Sequence, residues 1–184
     1  MASDVGEMWS KSKISRVGHM ILVTVGAYYR SFDRLVKSMD DLANAIEEQV
    51  IIQRGASTYE PLYADHFQFT TFTHMQELTR LARVIVNHAG AGSIILALKL
   101  GKPLVVVPRL EKYGEALDDH QRQIAKTLDS QGKVVVVMEP TPETLRDAID
   151  KAILQNSEPI GATQLVHSIK EQLKKWQYIS RQAR

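Results

Sequence analysis

The chain has 184 residues, of which 44% are hydrophobic, so it is long and apolar enough for one domain with a buried core. Its 23 basic and 21 acidic residues give a net charge of +2, which provides no bulk electrostatic reason to bind nucleic acid. It contains no cysteine, which excludes a disulfide framework and a cysteine-based metal or thiol site. Because the first residues lack the apolar core of a signal peptide, we expect a cytoplasmic protein.

The first half of the chain alternates short apolar runs with amphipathic stretches, which predicts strands alternating with helices. The predicted strands are Met20–Val25, Val50–Gln53 and Phe67–Phe72, and the predicted helices are 32–46 and His74–Ala82. Ser31 and Thr73 are suitable N-caps for the two helices. Because the first strand is apolar throughout, we expect it to lie at the centre of the sheet.

The second half continues the same alternation. The predicted strands are Val84–Val86, Leu104–Val107 and Lys133–Met138, and the predicted helices are Ile94–Leu100, His120–Ser130 and Pro142–Leu154. We expect residues 1–18 to be a flexible extension, 19–160 to be the α/β domain, and 161–184 to carry a separate amphipathic helix. The pattern predicts a Rossmann-like, mainly parallel sheet with helices on both faces.

The turn after the Val84–Val86 strand, NHAGAGS, carries the chemical signal. Gly90 and Gly92 lack a Cβ atom, so a bulky ligand can approach the backbone closely. The turn leads into a helix N-terminus, which favours an anion such as a diphosphate. Two interpretations of the glycines stay open, because a turn of this kind also serves merely to tighten a connection and the full dinucleotide fingerprint is absent. Ser93 is either a phosphate donor or an ordinary first-turn polar residue.

A polar loop follows the Leu104–Val107 strand, and it leaves the same edge of the sheet as the glycine turn. Ligands of open α/β sheets bind at that edge. Arg109 has two interpretations, facing a phosphate or facing solvent. Asp118 and Gln121 have the spacing of a capping box, which explains only part of the DDHQ segment.

The segments HAGAGS, KPLVVVPR and DDHQ together resemble the nucleotide-sugar-binding half of glycosyltransferase family 28, which has the GT-B fold. The resemblance extends from about Met20 to Ile153. Within the family the chain is most similar to the PssE-type and EpsF-type subunits of exopolysaccharide and capsule synthesis. These subunits are similar in turn to the catalytic subunit of the eukaryotic dolichol-linked UDP-GlcNAc transferase.

The resemblance implies an inverting transfer of a sugar from a UDP-sugar to a lipid-diphosphate-linked glycan acceptor. It implies a membrane-anchored, PssD-type partner subunit that holds the acceptor and recruits the protein to the inner face of the membrane. We expect no cofactor, no metal and no nucleic acid. Two alternatives stay open: a regulatory subunit that binds nucleotide sugars without catalysis, and an oxidoreductase that binds a dinucleotide or FMN.

The resemblance also assigns roles to individual residues. The expected donor-binding residues are Gly26, Gly90, Ala91, Gly92, Ser93, Arg109, Glu115, Asp119, His120 and Gln121. His88 is the candidate catalytic residue, with a loop-fixing role as the alternative. The chain departs from the family at Leu96, where many members carry an acidic residue that holds the ribose hydroxyls. We expect Glu115 or Asp118 to take that role, or ribose recognition to be weaker.

Overall fold

A computed structural model describes residues 19–118, 120–130, 132 and 134–156. The described strands are β1 Met20–Thr24, β2 Gln49–Gln53, β3 Asp65–Phe67, β4 Val84–Asn87, β5 Leu104–Val106 and β6 Val135–Val136. The described helices are α1 Asp33–Asn44, α2 Phe72–Leu81, α3 Ala91–Lys99, α4 His120–Ser130 and α5 Pro142–Asn156. A short 3-10 turn at Glu111–Tyr113 follows β5.

The six strands form one sheet in the order β3-β2-β1-β4-β5-β6, and every neighbouring pair is parallel. The strand order reverses at β1, because the chain first builds outward to β3 and then returns to place β4 on the other side of β1. In sheets of this kind the crevice outside the strand ends at such a reversal is the usual ligand site. The predicted parallel α/β fold with a central first strand is confirmed.

The core has two layers because side chains of each strand alternate between the faces of the sheet. Ile21, Val23 and Val25 contribute to the layer under α1 and α5, where Phe32 and Leu145 are also buried. The opposite layer lies under α2, α3 and α4, and its buried strand residues are Met20, Leu22, Ile51, Phe67, Ile85, Leu104 and Val106. Both faces of the sheet are therefore covered by helices, as predicted.

Two predicted caps are wrong. Phe32, not Ser31, occupies the N-cap of α1, and no side chain caps the helix there; the Phe32 N–H donates to Ser57 Oγ at 3.0 Å. Thr71, not Thr73, caps α2, and its hydroxyl accepts from the His74 N–H at 3.2 Å. A threonine stands on either side of Phe72, so the sequence allowed both starts.

The predicted strand Phe67–Phe72 is also wrong, because β3 ends at Phe67. Its partner β2 ends at Gln53, and the side-chain amide of Gln53 then donates to the Gln68 carbonyl at 2.9 Å. The Gly55 N–H donates to the same carbonyl at 3.1 Å, and beyond Gln68 the chain leaves the sheet. The alternating residues beyond Phe67 consequently form the loop into α2.

The second half of the fold follows the predicted order with different lengths. The helix predicted at Ile94–Leu100 begins at Ala91, and the strand predicted at Lys133–Met138 is only Val135–Val136. The predicted terminator Gly101 has the left-handed φ of 62° that ends a helix. The extension predicted at 1–18 and the helix predicted at 161–184 lie outside the described residues. None of the helices in the described part of the chain is long and apolar enough to cross a membrane.

Candidate donor-binding site

A cleft of about 420 Å³ opens at the carboxyl ends of β1 and β4, where the strand order reverses. Gly26 from the loop after β1 and His88 and Gly90 from the turn after β4 line it. Gly92 and Leu96 of α3 form one wall, and residues at the start of α2 form the opposite wall. The predicted glycine turn therefore lies in a cleft at the place where parallel sheets bind ligands.

The turn between β4 and α3 is fixed by Asn87, a fully buried side chain that the sequence analysis did not select. Its Oδ1 accepts from the Ala89 N–H at 2.7 Å, and its Nδ2 donates to Ser93 Oγ at 2.8 Å. The Ser93 hydroxyl in turn donates to the Gly90 carbonyl at 2.9 Å. This network holds Ala89 in a left-handed conformation with φ of 63°, which is unusual for a residue with a Cβ.

Ser93 consequently has a structural role in the described molecule. A hydroxyl carries one proton, and that of Ser93 points to Gly90 within the turn. The side chain orders the turn, and Gly90, Gly92 and Ser93 of the same segment line the cleft. Asn87 has no sequence signature apart from its place at the end of an apolar run, directly before the turn.

The His88 imidazole lies between Gly26 and Gly90. A Cβ built on Gly26 would fall 2.5 Å from His88 Nε2, and a Cβ built on Gly90 would overlap the same atom. Gly26 also has a φ of 77°, which residues with a side chain rarely adopt. Both glycines are thus required by the histidine ring that lies between them. This packing gives Gly26 and Gly90 a role in the site whether or not they contact a ligand.

His88 is neutral in this environment. Its Nδ1 lies 3.0 Å from the Thr24 carbonyl, which can only accept, so Nδ1 carries the proton and Nε2 does not. Burial lowers the pKa of His88 to about 4, and the nearby positive charge of Arg109 acts in the same direction. The imidazole is therefore a weak base at neutral pH. These contacts support the loop-fixing role that the sequence left open for this residue.

Gly92 differs from Gly90, because a Cβ built on it meets nothing within 4 Å. It lies in the first turn of α3, directly after Ala91. N–H groups in the first turn of a helix have no acceptor within the helix. The Ala91–Ser93 amides, together with the helix dipole, therefore offer an anion site at the floor of the cleft.

Gln53 supports the loop after β1 and was also missed. It is buried, its Oε1 accepts from Thr24 Oγ1 at 2.8 Å and from the Gly26 N–H at 2.9 Å, and its Nε2 donates to the Gly26 carbonyl at 3.0 Å. The side chain thereby pairs with both backbone groups of Gly26. The sequence does contain a signal for this role, because a polar glutamine at the end of a buried apolar strand needs hydrogen-bond partners.

Arg109 lies away from the cleft, and the prediction that it faces solvent is wrong, because it is fully buried. Its guanidinium donates to the carbonyls of Val25, Arg30, Ser31 and Glu115 at 2.9–3.3 Å. The group also lies over the ring of Phe32, 4.7 Å from its centroid. Burial lowers the pKa of Arg109 to about 10. Arg109 thus joins the loop after β1 to the loop after β5 through its two terminal nitrogens.

Glu115 is likewise committed to the scaffold. It is buried, accepts from Arg34 Nε at 3.0 Å and Nη2 at 2.9 Å, and accepts from the Leu110 N–H at 3.0 Å. Arg34 of α1 was missed; it also donates to the carbonyls of Pro108 and Met138. We expected Glu115 to bind the ribose in place of the missing acidic residue. Both oxygens of its carboxylate are, however, already hydrogen-bonded within the protein.

The DDHQ segment begins α4. Asp118 Oδ1 accepts from the His120 N–H at 3.1 Å, and its other oxygen lies 3.3 Å from His120 Nε2. Gln121 does not complete the predicted capping box, because its Oε1 accepts from the Arg109 N–H at 3.1 Å. Asp119 lies outside the described residues. Neither His120 nor Gln121 lines the cleft. The donor contacts expected of these two residues stay predictions.

The walls of the cleft are largely apolar. Phe69 and Phe72 line it with 48% and 69% of their surfaces exposed, and Met75 and Leu96 line it as half-buried side chains. The described residues that line the cleft include no charged side chain. Within the described part of the chain no group of three or more potential ligands is placed to hold a metal ion.

The six-stranded parallel sheet with helices on both faces has the fold of one half of a GT-B glycosyltransferase. The solved glycotransferase of kitacinnamycin superimposes on 95% of this chain and 45% of its own length, with a TM-score of 0.64 at 19% identity. The chain belongs to the family described as the glycosyltransferase family 28 C-terminal domain, whose model matches residues 20–176. The predicted fold and the membership of glycosyltransferase family 28 are confirmed, and the assignment to the PssE-type and EpsF-type subunits stays a prediction.

Named relatives share part of the chain. This chain is 35% identical over 123 residues to the human UDP-N-acetylglucosamine transferase subunit ALG13. The matched segment covers 61% of this chain and 10% of that protein. The chain is also 35% identical over 80 residues to a UDP-N-acetylglucosamine--N-acetylmuramyl-(pentapeptide) pyrophosphoryl-undecaprenol N-acetylglucosamine transferase of Opitutus terrae, covering 43% of this chain and 20% of that protein. The chain thus spans a minor part of these relatives.

Proposed function

We propose that this chain is the donor-binding subunit of an inverting glycosyltransferase that transfers a sugar from a UDP-sugar to a lipid-diphosphate-linked glycan. The observation that carries the proposal is the open anion site at Gly92, where the first-turn amides of α3 face a cleft at the strand reversal. Family membership supports glycosyl transfer, and the names of the two relatives supply the UDP-sugar and the diphosphate-linked lipid.

The chemistry assigned to the chain is electrostatic. Charge develops on the departing UDP as the glycosidic bond to the donor sugar breaks, and the amides at the start of α3 stabilise it without reorganising. The described residues that line the cleft offer no carboxylate to attack the sugar, and the whole chain has no cysteine. A single direct displacement, with inversion at the anomeric carbon, is therefore the reaction that this site favours.

The base that accepts the proton of the acceptor hydroxyl is assigned to a partner. His88 is buried, its Nδ1 proton is committed to Thr24, and its pKa of about 4 makes it a poor base at neutral pH. A second subunit of the PssD type, anchored in the membrane, is proposed to supply the acceptor site and to recruit this chain to the inner face of the membrane. The word subunit in the name of the human relative supports an assembly of this kind.

A second candidate function is regulatory binding of nucleotide sugars without catalysis, and the state of His88 favours it. The two functions differ in what happens when a partner is present. In the proposed enzyme, adding a membrane-anchored acceptor subunit to the chain starts transfer to a lipid-linked acceptor, and the chain alone gives weak transfer or none. Robust transfer by the chain alone would contradict the need for a partner, and a second subunit that transfers equally well without this chain would favour regulation.

The donor site itself is tested by Gly92→Val. The new side chain enters open space, so the fold is retained, while the anion site is obstructed. We expect loss of UDP binding by calorimetry in a variant whose circular dichroism is unchanged. Lys99→Val is the matched control, because it places the same side chain on an exposed position of α3 outside the cleft. Unchanged UDP affinity in folded Gly92→Val would refute the donor-site assignment.

A further inference from the structure

The wall of the cleft beyond the anion site is Leu96. Gly92 and Leu96 are four residues apart on α3, so they share one face of the helix, one turn of about 5.4 Å apart. Both line the cleft, with Met75 and Thr79 of α2 also part of its lining. If the diphosphate lies at the first turn of α3, the nucleoside is attached to it on the inner side of the cleft. The ribose of that nucleoside then lies against Leu96. The transferred sugar has to point toward the open edge, where an acceptor can enter.

The threonine and serine hydroxyls described next have their protons donated within the protein, and the His88 ring is enclosed between Gly26 and Gly90. Thr24 donates to Gln53, whose amide is hydrogen-bonded to Gly26 in the loop after β1 and to Gln68 in the loop after β3. The Thr79 hydroxyl donates to the Met75 carbonyl at 2.6 Å, and the Ser93 hydroxyl donates to Gly90. Nucleotide-binding sheets commonly hold ribose hydroxyls with an Asp or Glu, and among the described residues no carboxylate lines this cleft.

We propose that the cleft does not select ribose over 2′-deoxyribose, so that 2′-deoxyribonucleoside diphosphate sugars are donors for this chain alongside UDP-sugars. The inference rests on the proposed donor site and concerns which nucleotides it accepts. Recognition then comes from the backbone amides of α3 and from apolar packing, neither of which contacts the 2′-hydroxyl. A hydrogen bond to a carboxylate would instead give the ribonucleotide an advantage of about tenfold or more.

The test titrates the full-length chain with UDP and with 2′-deoxy-UDP by calorimetry. We expect the two dissociation constants to agree within about fivefold, and a larger preference for UDP overturns the inference. If the chain binds neither UDP nor 2′-deoxy-UDP, the proposed donor site is overturned as well. A large preference for UDP leaves the donor site standing and rejects only the indifference to the 2′-hydroxyl, so the two failures are distinguishable.

Leu96→Glu places a carboxylate on the wall, and we expect it to shift the ratio of affinities toward UDP by about fivefold or more. The ratio within one variant is compared, because the added negative charge weakens the affinity for both diphosphates. Leu96→Gln provides a neutral hydrogen-bonding side chain of the same length and serves if the glutamate variant does not fold. Lys99→Glu adds a carboxylate on the exposed face of α3 and is expected to leave the ratio unchanged. An unchanged ratio in both Leu96 variants overturns the assignment of this wall to the ribose.

Discussion

Gly90 and Gly92 are two residues apart, yet the same substitution is expected to have opposite effects on stability. A Cβ on Gly90 would overlap His88 Nε2 and approach Cε1 to 2.8 Å and Cδ2 to 3.1 Å. The ring cannot withdraw freely, because Nδ1 is bonded to the Thr24 carbonyl and the side chain is buried. Overpacking of this kind costs about 1–3 kcal/mol. A Cβ on Gly92 meets nothing and removes a flexible residue from a helix, which stabilises by about 0.5–1 kcal/mol.

Chemical denaturation of Gly90→Ala and Gly92→Ala, followed by circular dichroism, measures both changes in the free energy of unfolding. The contact with the ring is isolated by repeating Gly90→Ala in a His88→Ala background, where the overlap no longer exists. We expect the cost of Gly90→Ala to fall close to zero in that background. An equal cost with and without the imidazole would refute the packing of His88 between the glycines.

Three further predictions address the scaffold and the donor contact. Between about pH 6.5 and 4, His88 binds a proton in the unfolded chain but not in the folded protein. The free energy of unfolding therefore decreases by about 3 kcal/mol as the pH falls through this range. Urea titrations of His88→Gln should lack this part of the pH dependence. Arg109→Met removes the donors of four loop carbonyls, and we expect about 3 kcal/mol of destabilisation in the same assay, whereas a surface arginine would give almost none. Gln121→Ala should keep its affinity for UDP and lose more for a UDP-sugar, because Oε1 is used by Arg109 while Nε2 can donate to a sugar hydroxyl; equal losses for both ligands in calorimetry would contradict this contact.

The sheet was predictable because its signal is local. A parallel strand covered on both faces is apolar throughout, and the runs at β1, β4 and β5 have that property. The ends of the elements were less predictable where two residues of similar capping ability are neighbours. With Thr71 as the cap, Phe72 begins the helix; with Thr73 as the cap, Phe72 precedes it. The loop before α2 is held by Gln53, which belongs to a different strand.

The roles of the charged residues were not predictable from sequence. Arg109 looked like a surface residue or a phosphate ligand because nothing near it in the chain requires a buried cation. Three of the carbonyls that hold it belong to a loop about 80 residues earlier. Glu115 depends in the same way on Arg34, which is 81 residues away. Long-range hydrogen bonds of this kind have no spacing pattern, so a motif search finds the residues and misassigns their task.

These assignments change how the cleft meets a charged ligand. Two of the charged groups expected to contact the donor, Arg109 and Glu115, join the loop after β5 to the loop after β1 and to α1. What remains on the described walls of the cleft is uncharged, so in the proposed function the amides of α3, and no cation of these walls, bind the diphosphate. Amides held by the Asn87 and Ser93 network are fixed before the ligand arrives. In the proposed function, binding and leaving-group stabilisation then depend on the geometry of one turn, and His88 supports that geometry by occupying the space between Gly26 and Gly90.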